Sequence, residues 1–365
     1  MANNKERIKE LEAELKKTKY NKATQGHIGL VKAKIAMLKE KESQRSAKKT
    51  GQSDHGYSVR KSGDATVILL GFPSAGKSTL LNKLTGAESE VGAYAFTTLS
   101  VVPGVMEYKQ AKIQILDVPG IVSGAASGKG RGKEVLAVIR NADLVLLVVD
   151  VTQPQQYEAI LKEVKETGVR LNKEKPQVWI KKTGYGGINI GKTVETEIDD
   201  ETMKKVLRQF RVNNADVLIR SPIDIDDFID CIEGHKKYLP AIHCVTKCDL
   251  ATPSELKRVM KHANAHIAIS AHEDINIKEL REKIFRGLKF IRIYMKEPRK
   301  EADMAEPMII QEGATIESVC RKTHKEFVKK FRFARVWGKS AKFPGQRLML
   351  KHKLQDQDVL ELHIR

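Results

Sequence analysis

Residues 64–79 read DATVILLGFPSAGKST, an apolar, β-branched run that ends in a glycine-bearing turn and a lysine. The run ATVILL has the composition of a buried strand. Gly71, Gly76, Lys77 and Ser78 hold the fixed places of G-x-x-x-x-G-K-[ST], and the helical STLLNKLTG follows. Strand, turn and helix are the context in which that pattern has a mechanism. Glycines let the backbone amides of the turn, through Ser74, Ala75, Gly76 and on to Thr79, close around phosphate oxygens. The helix N-terminus adds positive potential there. Lys77 is placed to reach the β- and γ-phosphates, and the Ser78 hydroxyl to ligate magnesium.

Further buried-strand candidates lie at Ile113–Leu116, Leu144–Val149 and Ala241–Val245, with helical patterns between them. That order predicts a parallel α/β sheet. Loops at the C-terminal ends of these strands carry the rest of a nucleotide site. In YAFTTL (94–99), Thr98 is the candidate hydroxyl for capping magnesium, with Thr97 as the alternative. Asp117 follows IQIL and can hold a magnesium-bound water, and the Gly120 amide can meet the γ-phosphate. TKCD (246–249) ends a strand; Asp249 can accept two hydrogen bonds from the N1 and N2 donors of guanine, which adenine does not offer. The Lys247 stem can cover the base. Ser270, Ala271 and His272 follow the apolar AHIAI, and the Ala271 amide can meet guanine O6. Four such loops in order, each at a strand's end, make a strong combined signal.

A chain of 365 residues is long enough for two or three domains. No apolar run approaches the roughly 18–20 residues of a membrane span, and the lysine-rich start has no apolar signal core. A cytoplasmic protein without membrane contact is the expectation. Cys231, Cys244, Cys248 and Cys320 show neither metal spacing nor a disulfide framework, so reduced thiols are expected. The formal charge of +19 favours a polyanionic partner, RNA above all.

Along the chain, Ile8, Leu11 and Leu15 make one helical stripe, and Ile28, Val31, Ile35 and Leu38 another. Thr24-Gln25-Gly26 reads as the turn between them. This basic hairpin can pack onto the next domain, grip RNA or a partner, or do both. Residues 43–62 read as a linker, so 1–62 form the N-terminal region. The predicted G domain spans 63–165 and 238–296. The roughly 90 residues between two of its strands exceed what one crossover needs, and predict an inserted α+β module at 166–237. Its VWIKK, TGYGGINI and DDETMKKVLRQF carry no evident chemistry. After the charged EPRKEADMAEP, residues 297–365 read as a small β-α-β unit.

With GFPSAGKST, YAFTTL, DVPGI, TKCD and SAH in place, the chain resembles the Obg superfamily of GTPases, and within it the developmentally regulated GTP-binding proteins. GKGRG after the third motif, GGINI and VWGKSAKFPGQR extend the resemblance over nearly the whole chain. It implies a helical N-terminal region, a Ras-like G domain, an inserted domain of the S5-domain-2 type and a C-terminal TGS domain of the β-grasp type. It also implies GTP and GDP as ligands, magnesium, a ribosome or RNA partner in translation, a dedicated stabilising protein and a monomeric chain. Thr246 stands where the family carries asparagine, so a contact bracing the phosphate turn is expected to weaken. Ser74 stands where potassium-activated relatives carry an asparagine ligand; its hydroxyl can still offer an oxygen, which leaves potassium stimulation open.

Ile121, next after DVPG, has no hydrogen-bonding group where Ras-type enzymes keep a glutamine for the attacking water. Backbone amides, magnesium, a monovalent cation, or Ser123, Lys129 and Arg131 nearby must then serve. Two other readings fit the residues: an ATPase, and an RNA-binding scaffold in which nucleotide stabilises the fold.

Overall fold

The computed structural model describes residues 4–50, 63–85, 102–118, 138–139 and 141–364. In chain order the elements begin with α1 (Asn4–Lys17), α2 (Gln25–Thr50), β1 (Ala65–Leu70), α3 (Lys77–Thr85), β2 (Val102–Tyr108), β3 (Ala111–Asp117) and β4 (Leu144–Asp150). There follow α4 (Gln156–Glu166), β5 (Val169–Leu171), β6 (Val178–Lys182), β7 (Ile188–Lys192), α5 (Asp200–Gln209), β8 (Ala215–Ile219), α6 (Ile225–Glu233) and β9 (Lys237–Leu239). Then come β10 (Ala241–Thr246), α7 (Pro253–His262), β11 (Ile267–Ala268), α8 (Ile277–Gly287), β12 (Phe290–Met295) and β13 (Met308–Gln311). The chain ends with α9 (Ile316–Thr323), α10 (Lys325–Lys330), β14 (Phe331–Trp337), β15 (Gln346–Leu348) and β16 (Asp358–Ile364). It divides into two compact units, Met1–Gly56 with Lys173–Tyr238, and Tyr57–Asn172 with Leu239–Arg365.

The larger unit is built on a sheet of order β11-β10-β4-β1-β3-β2. Its strands run parallel except β2, which pairs antiparallel with β3. Alternation along β1 sends Val67 and Leu69 to one face and Ile68 and Leu70 to the other, all fully buried. Leu80, Leu81 and Leu84 of α3 and Leu280 and Ile284 of α8 cover the first face. Tyr157, Ile160 and Val164 of α4 cover the second. Each such leucine or isoleucine stabilises the fold by about 1.5–3 kcal/mol. Because β1 lies between β3 and β4, successive connections leave it on opposite sides. The crevice at the C-terminal ends of those strands is therefore the topological switch point, where α/β sheets hold ligands.

A second sheet in this unit has the order β13-β12-β16-β14-β15, with α9 packed on one face through Ile316, Val319 and Cys320. It contains β12, which a boundary at 297 assigns to the domain before it. The stretch EPRKEADMAEP is instead the loop of the antiparallel β12–β13 pair, closed by the Lys296–Ala302 bridge. Composition cannot tell a hairpin loop from an interdomain linker, since both are polar for the same reason. Phe290 and Ile309 join the first sheet's core, and Lys322 Nζ lies 3.4 Å from Asp64 Oδ1.

In the smaller unit α1 and α2 form a hairpin closed by Ile8, Val31 and Ile35. Its turn is tied by Thr24 N to Asn21 Oδ1 at 2.8 Å. The face of α2 packs on α5, from the segment inserted far downstream. A Cβ at Gly29 would lie 3.1 Å from Thr202 Cγ2 and 3.3 Å from Val206 Cγ2. Gln25, 4% exposed, donates to the Glu197 carbonyl. Helix α2 also runs through 43–50, read from sequence as linker. QRSAKK contains good helix formers, and Gly51 is the first breaker. The three-stranded sheet β6-β8-β7 completes this unit.

The four thiols are unpaired: Cys244 and Cys320 are buried, and Cys231 and Cys248 half-buried. Burial pushes each upward, Cys231 to about 11. No helix among the described residues is long and apolar enough to cross a membrane.

Candidate functional site

The turn Gly71–Gly76 leaves β1 at the switch point. A Cβ at Gly71 would come 2.5 Å from the Val148 carbonyl of β4, so only glycine permits that strand approach. Gly76 has φ +82°, the left-handed region that glycine enters without steric cost. Ser74 is also left-handed, at φ 65°, and exposed. A serine held there stores local strain, a feature that clusters at ligand sites.

Lys77 opens α3 and is 8% exposed. Its Nζ donates to the Phe72 carbonyl at 2.9 Å, folding the side chain back over the turn. Burial pulls its ammonium below the usual lysine value, opposed by the negative charge of Asp117. The next residue, Ser78, donates to Asp117 Oδ2 at 2.8 Å. Asp117 ends β3 and is buried, and its Oδ1 has no partner among the described residues. A hydroxyl, a buried carboxylate with a spare oxygen and a lysine thus meet at one point. Hard oxygen donors of this kind suit magnesium, which keeps most of its waters and takes few protein ligands.

Thr246 ends β10, and a contact to the phosphate turn is present there. Its hydroxyl donates to the Ala75 carbonyl at 2.8 Å, with the Val149 carbonyl at 3.2 Å. Threonine therefore braces the phosphate turn itself. The side chain is shorter than asparagine, but a hydroxyl donor is sufficient because β10 lies next but one to β1. Thr246→Val keeps the volume and leaves the Ala75 carbonyl unpaired. We expect GDP binding about tenfold weaker, roughly 1.4 kcal/mol, by calorimetry.

Lys247 follows with φ 56°, and its Nζ pairs with Asp150 Oδ2 at 2.7 Å. Asp150 Oδ1 accepts from Thr152 N and Oγ1, each at 2.8 Å. Burial alone would raise this carboxyl, but the Lys247 and Thr152 hydrogen bonds outweigh it and hold it below the ordinary value. That stabilisation is complete above the unfolded carboxylate range and is lost as pH falls through the lower folded value. Asp150 was missed as a site residue in the sequence reading. Its signal was an acid ending the otherwise apolar LVLLVVD, since a buried carboxylate needs a partner.

Asp249 sits exposed in the short helix Cys248–Leu250. Cys248 N donates to the Ile269 carbonyl at 3.1 Å, which ties the TKCD loop to the Ser270-Ala271-His272 loop. Ser270, 1% exposed, accepts from Glu273 N at 3.2 Å. Ala271 is half-buried, while the exposed His272 has its Nδ1 2.7 Å from Glu273 Oε1. Thr79 is exposed on the first turn of α3. Thr97, Thr98, Gly120 and Ile121 lie outside the described residues, as does GAASGKGRG.

Residues 66–182 match the family described as a 50S ribosome-binding GTPase, and 185–290 the C-terminal region of that MMR_HSR1 domain. Residues 291–364 match the TGS domain. An uncharacterized GTP-binding protein of Methanocaldococcus jannaschii is 51% identical, over 99% of this chain and 93% of that protein. Developmentally-regulated GTP-binding protein 1 of Xenopus laevis is 43% identical, over 98% of each chain. The Developmentally-regulated GTP-binding protein 2 homolog of Dictyostelium discoideum is 40% identical, again over 98% of each. With Lys77 on a strand, glycine turn and helix at the switch point, and with relatives matched over 98–99% of this chain, the chain belongs to the developmentally regulated GTP-binding protein family of GTPases, a Ras-like P-loop domain joined to a C-terminal TGS domain.

Proposed function

We propose that this chain hydrolyses GTP to GDP and phosphate with magnesium, slowly by itself, as a switch acting on the ribosome or another structured RNA in the cytoplasm. The observation that carries the chemistry is the Ser78–Asp117 pair at 2.8 Å beside Lys77, with Asp117 Oδ1 still to be satisfied. Ser78 and Asp117 would hold the metal, with Thr98 or Thr97 adding a hydroxyl in the GTP state. When bound, magnesium neutralises charge on the β- and γ-phosphate oxygens. Lys77 exchanges the Phe72 carbonyl for phosphate oxygens, a charge-assisted and stronger bond. Asp249 selects guanine, Ala271 meets its O6, and Lys247, anchored by Asp150, covers the base.

The nucleophile is the step these residues serve least. Ile121 cannot orient water, so amides such as that of Gly120, together with potassium near Ser74 or a group from the partner, take that part. For the RNA reading the support is the formal charge of +19 and the outer face of the C-terminal sheet. There Phe333 and His363 stack with centroids 4.2 Å apart, and Arg347 stands 4.7 Å from the Phe333 ring. Arg335 and Arg347 lie opposite each other across β14 and β15. Glu361 of β16 lies opposite Arg335 on its other side, which leaves Arg347 as the cation best placed to meet a phosphate. A stabilising protein partner and a monomeric chain complete the proposal.

GTP turnover measured in sodium and in potassium, with and without ribosomes, tests it. A slow rate raised by potassium or by ribosomes is expected, and Ile121→Ala should stay within about tenfold of the parent, or about 1.4 kcal/mol. A far larger loss with nucleotide binding intact would give Ile121 a direct part. Tight GTP binding without turnover in every condition would leave a nucleotide-stabilised scaffold instead.

A further inference from the structure

The sheet of the smaller unit has an outer face that nucleotide binding does not use. Alternation sends Val178, Ile180 and Val217 into that unit's core. It turns Trp179 and Lys181 of β6 to the other side, with Leu218 and Asp216 of β8 opposite them in register. Trp179 is 50% exposed there, and the Arg220 guanidinium carbon stands 5.2 Å from its ring centroid. Beyond Leu218, β7 contributes Gly191, which adds no side chain to that row.

The turn after β6 presents a second aromatic residue. Thr183 Oγ1 donates to the Tyr185 carbonyl at 3.0 Å, and Gly187 N donates to Asn214 Oδ1 at 2.9 Å. This fixed turn holds Tyr185 89% exposed. Three residues of strand separate Trp179 from the end of β6, about 10 Å at 3.4 Å per residue. On the Trp179 side, Lys181 and Arg220 are exposed and form no ion pair among the described residues. Asp216, the acid on this face, is engaged by Asn189 Nδ2 at 3.0 Å.

We propose that this face binds single-stranded RNA, with Trp179 stacking on a base and Lys181 and Arg220 holding the neighbouring phosphates. Tyr185 supplies a second stacking position further along the strand. The residues favour RNA over a protein partner for a physical reason. A protein interface needs a broad apolar centre depleted in lysine, whereas Trp179 and Leu218 form one narrow row flanked by unpaired cations. Planar rings on an open sheet, with cations at their margin, are what splayed bases and their backbone require. The inference rests on the RNA reading above and gives TGYGGINI and VWIKK, otherwise without chemistry, a shared role.

The test is fluorescence anisotropy of a labelled uridine oligonucleotide titrated with the full chain at several salt concentrations. Trp179→Ala should weaken binding about tenfold or more, and Trp179→Phe should stay within about threefold of the parent. Lys181→Ala with Arg220→Ala should lower the salt slope by about 1.4, near 0.7 per phosphate contact on a single strand. Each variant must keep the melting shift caused by GDP, which checks the fold. Parent-like affinity of Trp179→Ala overturns the proposal, as does equal loss in Trp179→Phe. If Arg335→Ala with Arg347→Ala weakens binding while Trp179→Ala does not, RNA binding stands and this face falls. Failure of the parent to bind the oligonucleotide or ribosomes removes both.

Discussion

Lys77→Ala is expected to abolish productive GTP binding while leaving the protein folded. The ammonium is 8% exposed and tethered to the Phe72 carbonyl at 2.9 Å, so it already lies over the turn where phosphates would sit. Each charge-assisted bond it would make to a phosphate is worth about 1.5–3 kcal/mol. Two of them amount to a loss of roughly a hundredfold to ten-thousandfold in affinity. The apo protein behaves differently. Burial depresses the Lys77 pKa, which means the charged form is held there at a cost. Removing it strands the Phe72 carbonyl but relieves that desolvation, so the melting temperature without nucleotide should move by only a few degrees. Titration with fluorescent GTP and GDP, beside melting curves with and without GDP, separates the two effects. Affinity within threefold of the parent would mean that the phosphates are held elsewhere.

Asp249→Ala should collapse the preference for GTP over ATP. The carboxylate can accept from guanine N1 and N2, and two such charged hydrogen bonds are worth about 3–6 kcal/mol before solvent competition. Asp249 is exposed, which lowers the realised gain, so we expect a loss of roughly a hundredfold for GTP. ATP offers N1 and N6 with the opposite pattern at N1 and should bind the variant as weakly as it binds the parent. The folded state should be indifferent, because the loop is held by Cys248 N on the Ile269 carbonyl rather than by the Asp249 side chain. Competition titrations with GTP, ATP and inosine triphosphate give the ratios. A retained GTP preference would place discrimination in the Ala271 loop instead.

The phosphate turn, its lysine and the order of the loops were legible because their chemistry depends on local sequence. Gly71, Gly76, Lys77 and Ser78 act within one turn of chain, so their spacing states their geometry. Asp150 was not legible, because its partner Lys247 is 97 residues away and reaches it only through the pairing of β4 with β10. The partner of Thr246 was hidden on the same ground. Comparing side chains suggested a weaker contact without naming its partner, which the sheet supplies by bringing the hydroxyl to the Ala75 carbonyl.

Residue chemistry and short-range spacing thus pointed, from the sequence by itself, to a parallel α/β domain of the P-loop GTPase kind. Tertiary structure decided which distant groups meet. It put the Ser78 hydroxyl on Asp117, joined the N-terminal hairpin to α5 of the inserted segment, and drew β12 into the C-terminal sheet. The physical reason is that hydrophobic periodicity tells a segment that one face must be buried but not against which partner. Shape, register and pairing across the fold make that choice.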